Sequence, residues 1–164
     1  MPSYKMTFDA IATGAVADTY KTLCAIVAAD TAGHRARVMS ITIGPADEAP
    51  VDKNVAVKLA RVDDVSAGGA GTPGASVSGA NMGKVDSESV ASTITGGRAY
   101  SAEPTVYGTE PLWAGAFNAR GGIIKHWDRE DAPVIQRDQL IGLLAAPRDA
   151  NAITLSGTIE FETF

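Results

Sequence analysis

The C-terminal stretch alternates with a period of two: Ile153, Leu155, Gly157, Ile159 and Phe161 fall on one side of an extended chain, while Thr154, Ser156, Thr158, Glu160 and Glu162 fall on the other. Successive side chains of a strand point to opposite faces, so this run predicts a strand with one buried and one wet face. The same pattern sets Tyr4, Met6, Phe8 and Ala10 against Lys5, Thr7 and Asp9, and Val55, Val57 and Leu59 against Ala56, Lys58 and Ala60. No stretch carries the 3.6-residue period with caps that a helix requires. Further β-rich runs lie at 20–29, 35–43, 89–95, 106–117 (broken), 123–127 and 133–144. Turn signals such as Thr13-Gly14, Gly44-Pro45, Gly96-Gly97 and Gly121-Gly122 separate them. Short strands at this spacing predict an all-β sandwich or barrel, and 164 residues suit a single domain.

One segment breaks the rhythm. Residues 66–83 read SAGGAGTPGASVSGANMG, too rich in Gly, Ser and Ala to bury much, and longer than an ordinary connection. They predict a long, flexible Gly/Ser/Ala-rich loop within the one domain, extending to about residue 87. Removal of residues 67–80 is expected to leave the fold intact.

Charge and hydropathy narrow the partners. Fourteen Lys and Arg against nineteen Asp and Glu give a net charge of −5, without the electrostatic term that drives phosphate binding, so nucleic acid is not an expected partner. The most apolar run, Leu23-Cys24-Ala25-Ile26-Val27-Ala28-Ala29, is much shorter than the ~18 residues of a membrane span. Asp9 interrupts the N-terminal stretch where a secretory signal needs a greasy core. No membrane association is expected, and the chain is expected to be made in a cytoplasm. The lone Cys24 reads as a small buried hydrophobe, since no His, Lys or Arg is its close sequence neighbour.

Chemistry-bearing residues do not gather into a signature. Gly69-Ala70-Gly71-Thr72-Pro73-Gly74 matches a dinucleotide fingerprint on paper, but Pro73 and the following Gly and Ser promise no helix to hold a pyrophosphate. The two histidines, His34 and His126, form no His-x-His metal pair. Carboxylates occur as Asp63-Asp64, as Asp128, Glu130 and Asp131, and as Glu160 with Glu162 on one expected strand face. The 128–131 run lacks the central Gly and alternating ligands of a calcium loop. No catalytic, cofactor or metal residue is assigned. Of the aromatics Trp113, Phe117 and Trp127, the first two are expected in the core, and Trp127, between His126 and Asp128, is the one expected to be exposed.

The order of signals in the second half carries a resemblance. Glu103-Pro104 and Glu110-Pro111-Leu112-Trp113 are followed by Trp127, by Ala132-Pro133-Val134-Ile135-Gln136-Arg137-Asp138-Gln139-Leu140-Ile141-Gly142-Leu143, and by the terminal strand Gly157-Thr158-Ile159-Glu160-Phe161-Glu162. Over residues 35–164 the chain resembles the capsid-decorating or cement proteins of tailed bacteriophages. The resemblance implies a jelly-roll sandwich of eight strands, close to the number of strand-like runs. It also implies a non-enzymatic virion protein, usually trimeric, which sits on the capsid surface and clamps subunits of the major capsid protein lattice. It offers no catalytic residues.

The strand around Leu23, Ala25 and Val27 is apolar on both faces. One face is expected to meet the second sheet and the other a neighbouring subunit of a homotrimer. Trp127, Asp128, Glu130 and Asp131 are the expected contact with basic coat residues. Two alternatives predict different behaviour: a glycan- or receptor-binding module of a head fibre or tail, with a shallow aromatic groove, and an enzyme dependent on His34 or His126.

Overall fold

In the computed structural model, residues 1–28, 35–46, 52–65, 69–85, 91–105 and 107–164 are described. Among them the chain runs β1 (Ser3–Ala12), β2 (Lys21–Ala28), β3 (Ala36–Pro45), β4 (Asn54–Val62), β5 (Ala75–Val77), β6 (Gly83–Lys84), β7 (Thr95–Arg98), β8 (Trp113–Asn118), β9 (Ile123–His126), β10 (Val134–Ile135), β11 (Gln139–Pro147) and β12 (Thr154–Thr163). A single 3-10 turn occupies Gly79–Asn81. Among the described residues no helix is long and apolar enough to cross a membrane.

The strand pairing is nested. β1 lies antiparallel to β12, β2 to β11, β3 to both β9 and β10, and β4 to β8. First meets last and second meets next to last, so the chain is an antiparallel ribbon folded back on itself. Rolling that ribbon sets β12 against β3 and β11 against β4. Two sheets result, β1-β12-β3-β9 and β2-β11-β4-β8. Eight strands wound in this order make a jelly roll, and the all-β sandwich expected from the periodicity is the observed fold. Short strands extend the sheets, with β6 added beside β1 and β7 then β5 added beside β2.

Alternation places the core. Met6 and Phe8 from β1, Ile26 from β2, Val57 and Leu59 from β4, Ile141 and Leu143 from β11, and Leu155, Ile159 and Phe161 from β12 all point between the sheets and are buried. Each such side chain contributes about 1.5–3 kcal/mol when fully removed from water. Tyr4 and Phe161 stack there with ring centroids 5.7 Å apart.

Bulges shift the pattern in two places where strict alternation fails. In β1 the register slips between Phe8 and Ile11, so two residues oppose Ser156. Ala10 takes a positive φ of 50°, donates its N–H to Ser156 Oγ at 3.0 Å, and is exposed, while Ile11 takes the inward place expected of Ala10. Between β3 and β12, Glu160 faces Ser40 but Phe161 faces Val38, which leaves Met39 as an extra residue on β3. The run expected at 133–144 is in fact two strands in different sheets, β10 and β11, separated at Asp138, whose φ is 59°. The strand expected at 89–95 begins at its last residue, Thr95; Ser89 and Val90 lie outside the described residues.

The outer face of the second sheet is covered by the chain itself. Between β4 and β8 the chain returns over this face, and Ala25, Val62, Tyr100 and Leu140 form a second apolar cluster there, with Val27, Val65, Ala70 and Tyr107 at its margin. Gly142 makes the closest approach possible. A Cβ at that position would lie 2.2 Å from Tyr107 Oη, the atom that bonds Thr22 Oγ1 at 2.9 Å. The described part of the Gly-rich segment differs from expectation as well. Its residues 75–77 are strand β5, and Val77 and Met82 join the main core, so the segment does have side chains to bury and deletion of 67–80 removes part of the fold.

Gly142→Ala is expected to lower stability by about 1–3 kcal/mol, as overpacking does, because Tyr107 must leave Thr22. Gly44→Ala, where nothing lies within 4 Å of the new Cβ, is expected to be near neutral. Urea unfolding of the two variants checks the pair, and equal midpoints would remove the contact from the account.

Candidate functional site

The acidic run 128–131 lies at an open edge of the first sheet. β9 and β10 both pair with β3, and the chain between them leaves the edge where Met39 bulges: Trp127 N–H bonds Met39 O at 2.9 Å, and Val38 N–H bonds Pro133 O at 2.9 Å. Residues 128–132 are therefore looped out of an otherwise continuous edge, a common use of a bulge. An N–H of Asp131 bonds Asp128 O at 3.1 Å and tightens the turn.

Arg129 fixes this loop to the sheet. Its Nη2 meets Glu162 Oε1 at 3.0 Å, and Arg37 Nη1 donates to the Arg129 carbonyl at 3.1 Å. The Arg37 guanidinium in turn lies over the Phe164 ring, 4.3 Å from its centroid. The one cation of the run is thus paired with Glu162 while its side chain stays exposed. Asp128, Glu130 and Asp131 stay exposed and form no ion pair among the described residues. Three carboxylates on a braced loop make a fixed negative surface, suited electrostatically to a cationic partner.

Trp127 is not the exposed anchor expected of it. It is half-buried, packs against the main core, and meets Trp113 edge to face with centroids 6.2 Å apart and an interplanar angle of 86°. Lys125 Nζ sits 5.4 Å from its ring centroid. The tryptophan is the floor beneath the acidic loop. Phe117 is buried as expected, while Trp113 is only partly so.

The expected subunit interface is also corrected. Leu23 and Ala25 are 0% exposed within one chain, so they have no surface to offer a neighbour. Cover from Tyr100 and Tyr107 supplies what the second copy was expected to supply. Val27 is half-buried and lines an open hollow of about 410 Å³ with Tyr100, Pro73 and Ala70. Glu160 and Glu162 share one face of β12 as expected, but that face is not wet at both. Glu160 accepts from Ser40 Oγ at 2.8 Å, whereas Glu162, held by Arg129, is only 8% exposed. His126 is exposed at the end of β9, and His34 lies outside the described residues. Among the described residues no group of three or more His, Cys, Asp or Glu is placed to hold a metal ion.

Two tyrosines hold the cover to the second sheet, Tyr100 buried in the apolar cluster and Tyr107 half-buried at its margin. Tyr107 bonds Thr22, and Glu103 accepts the Thr22 N–H at 2.8 Å. Burial pushes the phenols of Tyr100 and Tyr107 well above the ordinary tyrosine range, with Cys24 and Glu103 nearby adding to the rise. Burial likewise raises the Cys24 thiol far above its usual range, in keeping with an inert core residue. Sequence reasoning missed this clasp because its members are 81 and 85 residues apart; Gly142, small within a run of large apolar residues, is the one local sign of it.

No family model matches the chain, and no curated protein matches it. Among solved structures the chain is similar to one in a work titled "Crystal structure of the T13 IBDV viral particle reveals a missing link in icosahedral viruses evolution". The identity is 10% and the TM-score 0.21, and the match covers 99% of this chain and 39% of that one. The chain thus spans well under half the length of that protein, and a likeness of this size carries no argument. The fold assignment rests on the strand pairing.

The clasp makes stability depend on alkaline pH. Both phenols hold their protons in the folded state above the unfolded value of about 10, so their contribution is full below that pH and is lost as pH rises through it. Ultraviolet titration is expected to show Tyr100 and Tyr107 ionising only together with unfolding, which is read in parallel by circular dichroism. Ionisation of all four tyrosines near pH 10 with the fold intact would contradict the clasp.

Proposed function

We propose that this chain is a structural virion protein that decorates and stabilises a tailed-phage capsid by binding its outer surface as a homo-oligomer, a trimer at threefold or quasi-threefold positions. Such a protein is made in the host cytoplasm and ends on the capsid surface, and it performs no catalysis. The observation that carries the reading is the braced acidic loop. A loop held by Arg129 and Arg37 loses little conformational freedom on docking, which favours a protein partner over mere solvation. Its three outward carboxylates select a basic surface. The jelly roll supports the reading as a fold that capsid proteins use, though folds host many functions. The second reading, a glycan- or receptor-binding module, is favoured by the open, uncharged hollow beside Tyr100 and Pro73.

The test is addition of the protein to undecorated shells, followed by imaging. Saturating addition is expected to give density at threefold or quasi-threefold sites. The triple variant D128N/E130Q/D131N is expected to bind about tenfold or more weakly, as loss of close charge pairs does. Empty sites at saturation would remove the capsid role, and glycan binding abolished by filling the hollow from the exposed position Thr95, as with Thr95→Trp, would favour the second reading.

A further inference from the structure

The first sheet carries opposite charge at its two edges. Its strand order is β10-β3-β12-β1-β6, with β9 beside β10 on β3. The acidic loop therefore stands at one end and β6 at the other. At the β6 end a cleft of about 180 Å³ opens between the sheets, with Lys5, Asn81 and Arg98 among its polar walls and Met6 and Val77 among its apolar ones. Arg98 comes from the second sheet and donates through Nη1 to Thr7 O in β1 at 3.1 Å, which holds its guanidinium across the cleft mouth. Lys84, exposed, adds a third cation on the adjoining strand.

Among the described residues neither Lys5 nor Lys84 forms an ion pair. Glu160, directly opposite Lys5, accepts from Ser40 Oγ, and Asp9 accepts from Ser156 Oγ; Asp86 and Glu88, which follow Lys84, lie outside the described residues. The cleft is open, with polar walls, and has ample room for a carboxylate head.

We propose that the acidic loop of one copy docks on the Lys5–Arg98 cleft of the next, so that copies join head to tail through opposite edges of this sheet. The inference rests on the reading of the loop as a docking surface and names its partner as a second copy of this chain. Symmetry decides the form of the assembly. A twofold contact through either edge sets like charges together, acid on acid or base on base, which is repulsive. A head-to-tail contact sets acid on base at every junction, and it closes into a ring of three or more where the rotation between copies allows. β6, β9 and β10 are short, so strand addition contributes little, and the junction is made by side chains. The outer face of the second sheet stays free of this contact, consistent with its cover by residues of the same chain.

Light scattering on the purified full chain, with far-ultraviolet circular dichroism on every variant, tests the proposal. The wild type is expected to be an oligomer at micromolar concentration, and to dissociate as salt rises from about 0.1 M to about 1 M and the screening length falls from about 10 Å to about 3 Å. K5E/K84E and D128K/E130K/D131K are each expected to weaken self-association by about tenfold or more. Combined in one chain, the two sets are expected to restore the wild-type mass, since both edges are then exchanged. If a combined chain fails to fold, mixing the two single-edge variants serves instead: one is acidic at both edges, the other basic at both, and they are expected to associate with each other. An oligomer unchanged by either single-edge reversal, or single-edge variants that stay apart on mixing, overturns this inference and leaves the oligomeric capsid reading standing. A wild-type monomer overturns both.

Discussion

The C-terminal strand is hydrogen-bonded on both sides, to β1 over Ser3–Ala12 and to β3 over Ala36–Pro45. That double pairing ties the two ends of the described chain into the middle of one sheet, and the rest of the roll follows from it. Once β12 sits between β1 and β3, the adjoining strands β2 and β11 have only the second sheet to enter, and β4 closes against β11. The ladder is also where the useful irregularity arises. Met39, the extra residue of β3 opposite β12, disrupts the same strand's other edge, and the acidic loop leaves the sheet there. A packing detail in the centre of the sheet thus fixes the position of the surface feature that carries the functional reading.

Small residues set the second constraint. On the outer face of the second sheet stand Ala25, Ala56, Ala60, Gly142 and Ala146, all small and nearly flat. A flat face lets a covering segment come close, and Tyr100 and Tyr107 fill the space with large rings, the Tyr107 hydroxyl keeping Thr22 as its polar partner. The protein therefore resolves its doubly apolar strand within one chain. What remains for other molecules is the set of edges and loops, where polar groups are exposed and contact is governed by charge more than by burial.

Much of this was legible in the sequence, and the boundary has a physical cause. Period-two runs such as 55–59 and 153–161 gave the right face for each residue because neighbouring positions along a strand decide it. Ala10 went to the wrong side because a bulge depends on the partner strand, which lies about 150 residues away for β1; Glu162 kept its expected face but is covered there by its pairing with Arg129. Cys24 was placed correctly from its apolar neighbours. Trp127 was not, since its polar neighbours suggested exposure while its ring turns toward Trp113 on another strand. The acidic run 128–131 was visible as charge, but not the pairing of Arg129 with Glu162 that ties it to the sheet. The basic cleft had no sequence signal, because Lys5 and Arg98 meet only when the two sheets pack.

The account depends most on the claim that the segment between β4 and β8 is a built wall of the domain and not a loose excursion. Native-state hydrogen exchange, read amide by amide, tests it most directly. The informative positions are Thr22, whose N–H goes to the Glu103 carboxylate, and Ala99 and Gly74, whose N–H groups go to Leu23 O and Ala99 O. If the wall is built, these amides exchange in the same slow class as those of β11, which it covers. Exchange at Ala99 and Gly74 as fast as in an unstructured peptide, with β11 still protected, would contradict the account and return the face of Ala25 and Leu140 to a neighbouring subunit.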